Sequence, residues 1–297
     1  MIKDRVGFIG LGNMGGRMTR RLLDAGIGVM GYDTDSTRVA AAGAETAASM
    51  REAVEYADVV LLSLPDSRVV EAVVEGEGGV LASCRRGQTV IDLSTASASS
   101  TRRLYARFRE RGVNYIDAGI SGGAAAAEKG TLTLMVGGDA DAVDAIQWVF
   151  APISAKAVTM GASGAGHTAK LLNNFLNAVS LASTAEIMVA GKKAGLDLHK
   201  LLDVLNSSTG VNFATLNRFP HIVDGNYLEG GLTSKLMTKD VVLYVDLVRE
   251  LGVASMNASG PMASFGLATA LGYGDQISNR VVDAIGDVSG GVRLKDA

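Results

Sequence analysis

Lys170 and Asn174 stand four residues apart in Gly161-Ala-Ser-Gly-Ala-Gly-His-Thr-Ala-Lys-Leu-Leu-Asn-Asn, just after three spaced glycines. At helical periodicity that spacing stacks an ammonium and an amide on one face, one turn apart. Such a pair can hold a substrate oxygen and move a proton to or from it. A solvent-facing Lys/Asn pair on an ordinary helix has the same spacing, so the rest of the chain must decide between the two. The glycines allow either a close approach of backbone to a ligand or a tight entry into the helix.

A second chemical element is Gly10-Leu-Gly12-Asn13-Met14-Gly15, a G-x-G-x-x-G that follows the apolar run Val6–Ile9 and opens a helical stretch. At a first βα turn the first glycine permits the turn, the second admits a pyrophosphate, and the third lets helix and strand pack closely. The phosphates then rest on free N–H groups at the positive end of the helix. About 20 residues on, Asp33 ends the second apolar run, where a carboxylate accepts both ribose hydroxyls and repels a 2′-phosphate. NAD is therefore expected in preference to NADP, with Arg38 the nearby residue that can blunt the preference. Leu64-Pro65 and Ser94-Thr95 end further strands and should flank the cofactor, although Thr95 would look the same as a helix N-cap. Ser121-Gly122-Gly123 also follows a strand, and its consecutive N–H groups suit a carboxylate nest or a tight turn. His167, His199 and His221 lack metal-ligand spacing, so no metal is expected.

The elements that must position these residues change character along the chain. Up to about Met160, seven Val/Ile-rich runs alternate with helical stretches: Val6–Ile9, Gly28–Tyr32, Val59–Leu64, Thr89–Leu93, Tyr115–Asp117, Leu132–Val136 and Ala157–Met160. Continuous apolarity marks strands buried on both faces, so this half reads as an α/β domain with a parallel sheet. After Gly166 only helical patterns remain, at His167–Ala194, Leu198–Asn206, Leu236–Leu251 and Pro261–Leu271. In the third, Leu236, Met237, Val241, Tyr244, Leu247, Val248 and Leu251 form one apolar stripe that Gly252 ends. The second half is thus an all-α domain, entered by a long helix.

Composition sets outer bounds. The 297 residues are 47% hydrophobic and 20% charged with a net charge of −3, which excludes wholesale disorder and offers no basic stripe for nucleic acid. Cys84 is the sole cysteine and cannot form an internal disulfide. The start Met1–Arg5 runs directly into a strand, with no secretory segment and no run long enough to cross a bilayer. A soluble cytoplasmic protein is expected.

Four elements in order, Gly10 to Gly15, Ser121 to Gly123, Gly161 to Asn174 and Lys239-Asp240, resemble the β-hydroxyacid dehydrogenase family, which includes 3-hydroxyisobutyrate dehydrogenase and tartronate semialdehyde reductase. The resemblance spans essentially the whole chain, and the family's G-x-x-G-x-G-x-x-x-K-x-x-x-N element is matched in full. It implies a Rossmann domain over 1–162, an all-helical substrate and oligomerisation domain over 163–297, a long interdomain helix, and a homodimer or homotetramer. It implies Lys170 as the catalytic lysine, Asn174 as the residue that holds the substrate, and Ser121, Gly122 and Gly123 as the carboxylate loop. Lys239 matches a lysine beside nicotinamide and substrate, followed by Asp240 on the cofactor side. The chain departs from the family at Gly119-Ile120, where relatives read Pro-Val, and at Ala96–Ser100, where a proline is frequent. Gly119 is expected to loosen a turn that proline would stiffen.

The expected reaction is hydride transfer between NAD(P) and a small β-hydroxy acid, with Lys170 as general acid/base. Tartronate semialdehyde or glyoxylate reduction and threonate-type oxidation are alternatives within the class. An imine reductase is a further alternative that Lys170 argues against, and a non-catalytic NAD sensor is one of a different class. Asn212, Phe213 or Arg218-Phe-Pro220 would shape the far wall of the substrate site. No arginine cluster in the motifs suggests a phosphorylated or sulfonated substrate. Gly161, Gly164 and Gly166 are candidate hinges.

Overall fold

The computed structural model describes residues 5–295, so the stretch 1–4, expected to lead into the first strand, lies outside the described residues. The chain divides into two compact units between Lys170 and Leu171.

The first unit is built on eight strands: β1 (Arg5–Ile9), β2 (Gly28–Tyr32), β3 (Glu45–Thr46), β4 (Val59–Leu62), β5 (Thr89–Asp92), β6 (Asn114–Ser121), β7 (Leu132–Gly137) and β8 (Ser154–Gly161). Their order is β3-β2-β1-β4-β5-β6-β7-β8, a Rossmann-type sheet whose order reverses at β1. The unbroken apolar runs serve two cores at once. Val6 and Phe8 of β1, with Val59 and Leu61 of β4, face one core, while Ile9, Val60 and Leu62 face the other.

Three departures from the expected sheet have physical reasons. β7 runs antiparallel to β6, because the ten residues between them are too few for a parallel crossover. β8 is an edge strand with Met160 46% exposed, not a strand buried on both faces. β3 is two residues long and fully exposed, which leaves no apolar pattern to read.

The second unit is helical, and its core gathers Phe175, Ala178, Leu181 and Ala185 of a long helix (Ala165–Lys193) with Met237 and Val241 of helix Ser234–Glu250. That long helix begins in the first unit and continues into the second. In helix Ser234–Glu250 the expected stripe holds at Met237, Val241, Leu247 and Val248, all buried. Leu251 does not belong to it: it caps the helix and is 61% exposed. Gly252 follows in the left-handed region, and the Val253 N–H closes the end on the Val248 carbonyl at 2.8 Å. Short helices such as Phe213–Asn217 and Val281–Val288 span too few turns for periodicity to reveal them. Among the described residues no helix is long and apolar enough to cross a membrane.

Candidate active site

The glycine turn connects β1 to helix Gly15–Asp24 at the point where the strand order reverses. Gly10 has φ +88°, and a Cβ on Gly15 would stand 2.0 Å from the Gly10 carbonyl oxygen, so the turn and the helix packing account for these two glycines. Gly12 is different. A Cβ there would meet only the Arg38 guanidinium, at 3.9 Å, and its backbone needs no left-handed φ. The protein's own packing does not require a glycine at 12, which fits a backbone kept clear for a pyrophosphate. No side chain caps the following helix and its first turn holds no acid, so the end stays receptive to an anion. Met14 is the N-cap, and Asn13 is gripped by Arg17, which reaches its carbonyl at 2.6 Å.

Asp33 performs structural work as well. Its Oδ2 accepts the Leu11 N–H at 2.8 Å, tying the end of β2 to the glycine turn, and its Oδ1 accepts the Asp35 N–H at 2.9 Å. The Thr34 hydroxyl also donates to Oδ1, at 3.5 Å, so Oδ2 is the less occupied of the two oxygens. Arg38 Nη1 lies 3.7 Å from Asp33 Oδ1. The loops after β4 and β5 are joined where the Leu64 N–H, next to Pro65, donates to Ser94 Oγ at 2.9 Å. Thr95 is not a helix cap: the next helix, Ala98–Glu110, starts with Ser97 as its N-cap.

Ser121 is the last residue of β6; Gly122 follows at φ +125° as the N-cap, and Gly123, at φ +70°, opens helix Gly123–Lys129. The stretch Gly122–Ala127 is thus mostly a helix start. Gly119 lies inside β6, paired with Met135, and not in a turn. The expectation that it loosens a turn is overturned. A Cβ at 119 would sit 2.5 Å from the Cβ of Lys170, so the missing side chain lets the lysine's helix settle onto the strand.

Asp117, fully buried in β6, organises the entry to that helix. Its Oδ1 accepts the Gly164 N–H at 2.7 Å and its Oδ2 the His167 N–H at 2.8 Å, so a carboxylate distant in sequence caps the helix start. Gly166 lies so close to β6 and β7 that a Cβ would stand 2.3 Å from the Met135 carbonyl oxygen. His167 is completely buried; its Nδ1 lies 2.7 Å from Thr101 Oγ1 and its Nε2 3.2 Å from the Asp92 carbonyl oxygen. The ring braces the helix one turn before Lys170. Sequence reasoning missed both braces, because their partners lie 47 to 75 residues away.

Lys170 is 8% exposed and Asn174 5%, which removes the reading of a solvent-facing pair. In the second unit Asn174 Nδ2 donates to Asp240 Oδ2 at 2.6 Å. Asp240 is itself buried, and Lys239 Nζ lies 3.1 Å from its Oδ1, within ion-pair range but outside hydrogen-bonding alignment. Asp240 thereby fixes which way the Asn174 amide points.

Comparison with known proteins agrees with this geometry. Residues 5–161 match the model of the NAD binding domain of 6-phosphogluconate dehydrogenase, and residues 164–285 match that of the NAD-binding domain of NADP-dependent 3-hydroxyisobutyrate dehydrogenase. The chain is 33% identical to a 2-(hydroxymethyl)glutarate dehydrogenase of Eubacterium barkeri, covering 94% of this chain and 93% of that protein. It is 38% identical to an NAD-dependent L-serine dehydrogenase of Pseudomonas aeruginosa, covering 89% and 90%. Among solved structures, 3-hydroxyisobutyrate dehydrogenase of Mycobacterium tuberculosis with L-serine superposes with a TM-score of 0.86 at 33% identity, over 94% of this chain and 98% of that one. A lysine and an asparagine buried on one helix, a glycine turn with its second glycine left clear, and full-length similarity to hydroxyacid dehydrogenases lead to one conclusion: the chain belongs to the β-hydroxyacid dehydrogenase family, of the 3-hydroxyisobutyrate dehydrogenase type.

Proposed function

We propose that Lys170 is the general acid/base of an NAD(P)-dependent dehydrogenase of small β-hydroxy acids, with Asn174 holding the substrate oxygen. The observation that carries this reading is the burial of both residues on one helical face, with Asn174 anchored by Asp240. A bound nicotinamide cofactor supplies the hydride acceptor or donor. In oxidation, neutral Lys170 accepts the hydroxyl proton; in reduction, its ammonium donates a proton to the nascent alkoxide. The base role requires the uncharged amine. Ser121, Gly122 and Gly123 take the substrate carboxylate, and Lys239 serves substrate and cofactor together. Residues 1–162 serve the nucleotide, and residues 163–297 serve substrate and assembly.

NAD is the preferred cofactor, since the Asp33 carboxylate repels a 2′-phosphate. The substrate is a three- to six-carbon hydroxy acid; 3-hydroxyisobutyrate, 2-(hydroxymethyl)glutarate, L-serine and glycerate head the panel to be screened. The protein is cytoplasmic and assembles as a homodimer or homotetramer. Support for assembly comes from Leu172, Leu176 and Ile187, apolar residues that the long helix leaves exposed. Light scattering in solution measures the assembly, and a monomer would end that part of the reading.

Lys170→Ala tests the chemistry. Turnover should fall about 10²–10⁴-fold, the usual contribution of a general acid/base, while NADH binding measured by fluorescence persists. Retention of more than about a tenth of wild-type turnover would remove Lys170 from that role. NADH binding with no turnover of any hydroxy acid by the wild-type protein would mark it as a sensor.

A further inference from the structure

Arg218 joins helix Phe213–Asn217 to helix Phe219–Ile222 and is half-buried in the second unit. Its Nη1 donates to Asn279 Oδ1 at 2.9 Å and its Nη2 to Asn177 Oδ1 at 3.0 Å. The guanidinium carbon stands 5.7 Å from the centre of the Phe213 ring, whose residue is 58% exposed. Both hydrogen-bond partners are neutral amides. Among the described residues no carboxylate pairs with Arg218, whereas Arg280 and Arg293 of the same unit each have two. Burial pulls the Arg218 guanidinium down to about 10, which still leaves it a cation at neutral pH.

A cation taken out of water without a counter-charge is costly, and an anionic ligand offsets that cost. Three of the five guanidinium N–H groups are not used by the two amides, and the planar fork suits a carboxylate. The position is specific too. Asn177 follows Asn174 by one turn on the long helix, about 4.5 Å farther along its axis. An anion held at Arg218 would therefore sit at a fixed offset from the oxygen held at Asn174.

We propose that Arg218, braced by Asn177 and Asn279, binds a second carboxylate at the end of the substrate remote from the oxidised carbon, so that the enzyme favours dicarboxylic hydroxy acids over monocarboxylic ones. This rests on Asn174 as a substrate-binding residue. The inference is independent of the cofactor and of the identity of the base.

The test compares 2-(hydroxymethyl)glutarate with 3-hydroxyisobutyrate and 2-(hydroxymethyl)pentanoate. All three share the hydroxymethyl carboxylate core and differ in a carboxyethyl, methyl or propyl arm. The wild-type enzyme should show the highest kcat/KM for the diacid. In Arg218→Gln the ratio of diacid to either monoacid should fall about tenfold or more, the loss of roughly one charge-assisted hydrogen bond. Asn177→Asp places a carboxylate beside the guanidinium without removing it and should lower the same ratio, which keeps the test decisive if Arg218→Gln does not fold. As a readout without turnover, glutarate should raise the melting temperature of the wild-type protein more than butyrate does, and both variants should lose that difference. Ratios unchanged within about twofold in both variants, or glutarate no better than butyrate on the wild type, would leave Arg218 as a structural tie only. Selective stabilisation by glutarate, lost in the variants, without oxidation of any hydroxy acid would keep the anion site and overturn the proposed reaction instead.

Discussion

Two glycine-rich turns in the first unit have similar composition and different physical purposes. At Gly10–Gly15 two glycines serve the turn and the helix packing, while Gly12 faces nothing of the protein except the tip of Arg38. At Gly161–Gly166 the protein itself uses every glycine. Gly161 and Gly164 stand at φ +139° and +91°, and Gly166 is pressed against the Met135 and Asp117 carbonyl oxygens. The first turn therefore keeps backbone available for a ligand, and the second locks a helix to a sheet. Within the first unit the Asp117 carboxylate also holds the second turn through two backbone N–H groups.

The most severe way to challenge this contrast is Gly166→Ala. A methyl 2.3 Å from a backbone oxygen cannot be relieved by a side-chain movement, so a loss above about 4 kcal/mol, in the range of the most damaging core changes, is expected by chemical denaturation. A stable, active Gly166→Ala protein would refute the locked-joint reading. Next in size is Asp117→Asn, which keeps the shape but replaces one acceptor oxygen with a donor facing an N–H. Denaturant melts should show a loss of about 1.5–3 kcal/mol, with turnover falling as the Lys170 helix loses its brace.

Gly12→Ala probes the other turn and should behave in the opposite way. Its melting temperature without cofactor should match wild type, since nothing in the protein crowds the new methyl. NADH affinity, read by fluorescence titration, should weaken about tenfold or more, equivalent to roughly 1.4 kcal/mol. Destabilisation with unchanged NADH affinity would reverse the assignment. The smallest effect is expected away from both turns, at Cys84. Burial pushes its thiol up to about 12, so thiolate is scarce at pH 8 and a thiol reagent should react slowly until the protein unfolds. Rapid labelling of the folded enzyme with loss of activity would require Cys84 to be more open than its surroundings indicate.

The Lys170–Asn174 stretch differs from both turns because it depends on side chains, and that is where sequence reading fell shortest. The spacing of Lys170 and Asn174 was legible since a helix converts sequence separation directly into a shared face. The same logic exposed the strands of the two-faced sheet, whose apolar runs cannot belong to a one-sided sheet. It failed at β8, where a Val-containing run proved to be an edge, and at Gly119, which looked like a turn and lies in a strand.

By itself the sequence determined the α/β-then-α order, the first βα turn, and the helix that carries the lysine and the amide. Each of these is local, set by periodicity or by a turn a few residues long. Only the tertiary structure decided that Asp117 caps the long helix, that Gly119 admits Lys170, that Asp240 orients Asn174, and that Arg218 has two amides for hydrogen-bond partners. Those relations join residues tens of positions apart, and nothing in their sequence spacing marks them. A carboxylate shows its role only when the N–H groups it faces are known, and a half-buried cation shows its pairing only when the groups around it are known.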